Sequence, residues 1–160
     1  MAGFKGNNLL LYMATSGTAT PAAEDYVKVA ALRGTSYTIN KSTIDANNKD
    51  SGAWNVLVEG GGLKTFSITA DGVWLGNNQA SGHHGRLMRA AGFNVNQGAL
   101  VNDTVTTHWN FQIVDEAGFT LTGRFNVDSF SRTGELNGLD TWTITLTSSG
   151  TVTWAEPVAP

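Results

Sequence analysis

The adjacent histidines His83-His84 are the first residues in this chain whose type and spacing could do chemistry. Two imidazoles on a loop can start a metal site, but such a site needs three or four converging ligands. No HExxH pattern accompanies them. They read as loop residues ahead of a helix. His108 stands alone on the polar side of an alternating run and reads as a cross-strand hydrogen-bonding partner. The run Asp45-Ala46-Asn47-Asn48-Lys49-Asp50 begins like a calcium loop. Lys49 then occupies the third ligand position, and Asp50 replaces the glycine that the turn needs. Gly60-Gly61-Gly62 suggests a phosphate loop, but neither the Lys-Ser/Thr pair nor a helix follows, and Leu63-Lys64-Thr65-Phe66 reads as strand. Ser16, Ser51 and Ser81 lack the GxSxG elbow of a nucleophilic serine. The sequence therefore predicts no catalytic residues, no cofactor, no metal and no enzyme.

The surrounding composition fits that reading. The 160 residues suit one domain spanning 1–160. Charged residues make up 14%, against about 25% for an ordinary soluble domain. So low a charge suits a protein that covers much of its surface with neighbours. The chain has 19 glycines, 3 prolines, 5 tryptophans and many threonines, a composition that favours strands. It has no cysteine, so disulfides and Cys-ligated metals are ruled out. Net charge is −3, unevenly distributed: 5 basic less 3 acidic residues over 1–49, 3 less 3 over 50–92, and 2 less 7 over 93–160. No basic cluster marks a phosphate-binding surface. Leu9 to Ala14 is too short and too weakly flanked for a signal peptide, and no run approaches the ~20 apolar residues of a membrane helix. No membrane association is expected.

The elements follow from periodicity and punctuation. Residues 1–25 read as a flexible N-terminal arm with a short strand at Leu9 to Met13. Tyr26 to Arg33 is predicted as a strand broken at Gly34, with Thr35 to Asn40 extended. Residues 40–53 form a long polar loop rich in Asx and Gly, residues that favour turns. After the glycine break, Leu63 to Ala70 reads as strand, Asp71-Gly72 as a turn and Val73 to Leu75 as a second strand. Gly85 to Ala91 is the helix candidate, with Leu87, Met88 and Ala91 on one stripe. Val105 to Asp128 alternates twice around Asp115-Glu116-Ala117-Gly118 and predicts a long β-hairpin. Thr141 to Thr147 and Thr151 to Ala155 are further strands, and 156–160 is a C-terminal tail. The predicted class is mainly β: a β-sandwich or open barrel with one short flanking helix and extended loop and terminal arms.

Several stretches resemble the major tail protein (tail-tube protein) family of siphophages and phage-like gene transfer agents. They are Ile44-Asp45, Lys49 to Gly52 with Trp54, the glycine break followed by LKTFSITADGV, the opening MAGFKGNNLLLYM, and the terminal TVTW. The resemblance implies a structural virion protein assembled in the bacterial host cytoplasm. It implies hexameric rings that stack into a tail tube, each subunit giving strands to a continuous inner β-barrel. The implied partners are the chain itself, the tape measure and tail terminator proteins, and DNA that transits the lumen without specific binding. Three sets of residues follow as expectations. Asp45, Asn47, Asn48, Asp50 and Trp54 would make the inter-ring contact. Trp109, Phe111, Thr122 and Arg124, on the long hairpin, would build the intersubunit barrel. Asp128, Glu135 and Asp140 would line the lumen, where acidic charge repels phosphate. The alternative is a β-sandwich carbohydrate- or receptor-binding module of a tail tip or adhesin.

Overall fold

A computed structural model describes residues 9–14, 26–29, 31–47, 57–59, 62–74, 87–88, 90–91, 93–96, 99–102 and 108–157. Among them the strands are β1 (Leu10–Ala14), β2 (Tyr26–Lys28), β3 (Leu32–Lys41), β4 (Lys64–Val73), β5 (Phe93–Asn96), β6 (Ala99–Asn102), β7 (Trp109–Val114), β8 (Thr120–Thr133), β9 (Thr141–Ser148) and β10 (Thr153–Ala155). The main sheet is antiparallel, in the order β2-β1-β7-β8-β9-β4-β3, with β10 also on β8. Among the described residues, β5 and β6 pair only with each other.

β8 is the spine, because its 14 residues serve two halves of the sheet. Its first half pairs with β7, from Val114↔Thr120 to Trp109↔Phe125, and with β10 on the opposite edge. Its second half pairs with β9, from Phe125↔Ser148 to Thr133↔Thr141. A register shift between Val127 and Ser129 makes Asp128 the extra residue of a β-bulge there. Bulges bend a strand and increase its twist, which suits a strand passing from one half-sheet to the other.

Period-2 alternation supplies the core. Leu11 and Met13 from β1, Phe66, Ile68 and Ala70 from β4, Phe111 and Ile113 from β7, Phe125 from β8, and Trp142, Ile144 and Leu146 from β9 are all buried in one cluster. Phe125 meets both Phe66 and Phe111 edge-on, with centroids 6.0 and 6.2 Å apart. Each large side chain removed from water contributes about 1.5–3 kcal/mol, so this face fixes the register: a one-residue slip would turn the whole set outward.

Several sequence expectations are corrected. Asp71-Gly72 is not a turn, since β4 runs through it. Gly72 is required by close approach: a Cβ there would sit 2.5 Å from the Ala31 carbonyl oxygen and 2.8 Å from the Trp142 ring. The first long strand breaks at Val29 to Ala31, where Ala31 has φ 56°, and not at Gly34. Gly34 instead lies at a register shift inside β3. Of the predicted helix, Leu87, Met88 and Ala90 are helical; Leu87 and Ala90 are buried, and the Ala91 N–H donates to the Leu87 carbonyl at 3.0 Å. The antiparallel pairing of β5 with β6 adds two strands where the sequence pattern predicts none.

Candidate assembly surface

Among the described residues, two strand edges on one half of the main sheet carry unpaired backbone. β3 ends the sheet, and β8 beyond Phe125 has left β7 behind, so among the described residues its second half is paired on one side only. These two edges bound a four-stranded half-sheet, β8–β9–β4–β3. Long bare edges are an aggregation hazard unless another chain pairs with them.

The outward face of this half-sheet is a carpet of hydroxyls. Directly paired residues share a face, so the register gives the rungs. One rung runs Thr38, Ser67, Thr147, Asn126, and the next runs Ser36, Thr69, Thr145, Ser129. A third brings Asp71, Thr143 and Ser131 together. Asp128 joins this face, accepting a hydrogen bond from the Thr147 hydroxyl. The rungs thus hold two carboxylates and no cation.

The predicted loop begins as an ordered arm. The Ser42 N–H donates to the Leu63 carbonyl at 2.9 Å, and the Leu63 N–H donates to Ser42 Oγ at 2.7 Å. Further out, the Val58 N–H donates to the Ile44 carbonyl, and Asp45 bridges to Leu57. Gly62, at φ 97°, is needed because a Cβ would fall 1.8 Å from the Ser42 carbonyl oxygen. The arm therefore extends the β3–β4 hairpin past the sheet. Asp45 and Asn47 are exposed on it, as are Ile44, Leu57, Val58 and Leu63. Asn48, Asp50 and Trp54 lie outside the described residues.

At the opposite end of the half-sheet, the β8–β9 hairpin closes through a turn in which the Gly138 N–H donates to the Glu135 carbonyl. Its base is latched. Arg132 Nε donates to both Asp140 oxygens at 3.0 and 2.8 Å, and Arg132 Nη2 donates to Asp140 Oδ2. The guanidinium lies 4.2 Å over the Trp74 ring, and the Trp74 N–H donates to the Asp140 carbonyl. The hydrogen bond that Arg132 donates to Asp140, helped by the carboxylate's charge, holds the Arg132 pKa above its ordinary value against the opposing cost of burial.

The structure separates the predicted site residues. Trp109 and Phe111 face the core. Thr122 is paired on both sides, by Gln112 and by Thr153, so its part of β8 offers no free edge. Arg124 follows the same ladder opposite Asn110. Asp128 lies on the hydroxyl face, whereas Glu135 sits in the hairpin turn and Asp140 is held by Arg132. The bare edges of β3 and of the second half of β8 had no signal in the sequence, since an edge depends on which strand is missing beside it. Among the described residues no cluster of three His, Asp or Glu side chains could hold a metal ion.

The sequence profile of a family described as "Phage tail tube protein" matches residues 3–154. No curated protein matches the chain. Solved structures share its fold. The tail of an empty gene transfer agent particle with C6 symmetry is 22% identical at a TM-score of 0.71, with 96% of this chain and 99% of that one covered. A subunit of a native gene transfer agent virion is 21% identical at 0.68, covering 96% and 99%. The SPP1 tail tube is 12% identical at 0.65, covering 98% of this chain and 81% of that one. The match favours a tail-tube reading over a carbohydrate-binding module.

Proposed function

This chain belongs to the phage tail tube protein family, and we propose that, as a structural protein of a phage or gene transfer agent tail, it closes into rings by pairing the free edge of β3 with the free second half of β8 on the next copy. The observation that carries this reading is the four-stranded half-sheet that, among the described residues, has a bare edge on each side. Edge-to-edge pairing is heterologous, and a rotation that closes makes a ring with no edge left over. Sixfold closure, the symmetry of the similar gene transfer agent tail, gives a barrel of six half-sheets. At ~4.8 Å between strands and a tilt of up to ~40°, its backbone diameter is roughly 37–48 Å. Subtracting about 5 Å of side chain on each side leaves room for a DNA duplex.

The hydroxyl carpet is then the lumen wall. Hydroxyls hold water and offer no fixed cation to phosphate, while Asp71 and Asp128 repel it weakly, so DNA passes without being gripped. Rings stack through the β3–β4 arm, with Asp45, Asn47, Asn48, Asp50 and Trp54 reaching the next ring. The tape measure and tail terminator proteins are further partners in this reading. Electron microscopy of purified chain is the test: rings or tubes are expected. A monodisperse monomer at millimolar concentration, in low and high salt, rejects it.

A further inference from the structure

The two ends of the half-sheet are complementary. At one end the β8–β9 hairpin presents Leu136 at 99% exposure and Leu139 at 66%. An exposed leucine by itself means little, but this one is held out by the Glu135–Gly138 turn and the Arg132–Asp140–Trp74 latch. At the other end a cavity of about 690 Å³ is lined by Ile39, Phe66, Val152 and Trp154, with Lys41 and Lys64 also on its wall. Ile39 and Trp154 are 60% and 54% exposed. The eight residues of β9 alone put about 25 Å between the two features at ~3.3 Å per residue, so the knob cannot reach the cavity of its own subunit.

We propose that the Leu136–Leu139 knob of one copy seats in the Ile39–Trp154 cavity of a copy in the adjoining ring. The inference rests on the tube reading and adds a residue-level stacking contact to it. Charge matches as well as polarity: Glu135 lies beside the knob, and Lys41 and Lys64 face each other across a β3–β4 pair in the cavity wall. A head-to-tail contact of this kind does not close, so it generates an open stack. The latch matters because a preorganised knob loses little freedom on docking.

Leu136→Ala/Leu139→Ala is the first test. Both side chains are exposed, so folding is retained and is checked by an unchanged melting temperature. Single rings are expected, with the critical concentration for tubes raised about tenfold or more. Glu135→Lys should weaken stacking in a salt-dependent way, and Lys41→Glu/Lys64→Glu should restore it. The chain has no cysteine, so Leu136→Cys with Ile39→Cys allows a clean crosslink: assembled tubes treated with a short bis-maleimide should give a ladder of multimers. Tubes formed by the double-alanine variant at the wild-type concentration, or tubes without a ladder, overturn the contact and leave the tube reading standing. Monomers in place of single rings also overturn it, because the lesion then lies in ring closure. Failure of the unmodified chain to form rings or tubes overturns both.

Discussion

Among the described residues, glycine is placed by close contact as well as by turn. Gly72 packs between the Ala31 carbonyl and the Trp142 indole, whose Nε1 donates to the Val73 carbonyl at 3.2 Å. Gly72→Ala should therefore cost about 1–3 kcal/mol, as overpacking of a tight core does, and thermal unfolding should show it as a clear fall in Tm. Asp71-Gly72 misled the sequence reading for the same reason. The dipeptide is a strong local turn signal, but the need for space beside Trp142 and the outward placement of Asp71 on a hydroxyl rung account for it equally well, and neither can be seen along the chain. The Arg132–Asp140 pair gives the opposite case. It is partly exposed, so removing it by Asp140→Ala should change Tm little. Its effect should fall on assembly instead, since the hairpin tip loses its anchor; the two readouts together separate positioning from stability.

The strands that alternate cleanly were legible, and the strand edges were not. Leu121, Gly123 and Phe125 in β8 and Trp142, Ile144 and Leu146 in β9 declare their faces by period 2 alone. Which edge stays bare depends on the sheet order, to which local pattern is blind. The antiparallel pair of β5 and β6 is not legible, because four-residue strands carry little periodicity. The edge itself can be tested by hydrogen-bond direction. Ser42 donates to Leu63 across the β3–β4 ladder, and N–H groups alternate sides along a strand. Thr38 N–H therefore points to β4, and Ile39 N–H points to the free edge. Thr38→Pro should lose a ladder bond inside the subunit and destabilise it by on the order of 1–3 kcal/mol. Ile39→Pro should leave the ladder intact and yield folded monomers unable to form rings. If the Ile39→Pro chain still closes into rings, β3 is not the joining edge.

For the whole molecule, charge position decides more than charge total. The sequence shows an acidic C-terminal part but not where its acids point. The fold divides them: Asp128 stands with Thr147 on the hydroxyl face, Glu135 lies in the hairpin turn, and Asp140 is neutralised by Arg132. If that face is the lumen wall, reversing charge on it should act on DNA and reversing charge elsewhere should not. Asp128→Lys puts a ring of cations, one per subunit, where phosphate passes. Each such contact formed with duplex DNA adds about −0.9 to the slope of log affinity against log salt, so retention should be marked at low ionic strength and fade as salt rises. Asp71→Lys or Thr143→Lys should act alike, because this pair shares the outward face on which Asp128 meets Thr147. Glu135→Lys changes the same net charge from the hairpin turn and should alter ring stacking but not DNA passage. The measurement is release of labelled DNA from particles whose tails carry each variant, followed at several salt concentrations. Equal slowing by Asp128→Lys and Glu135→Lys, or no slowing by any of the rung variants, would place the hydroxyl face away from the lumen.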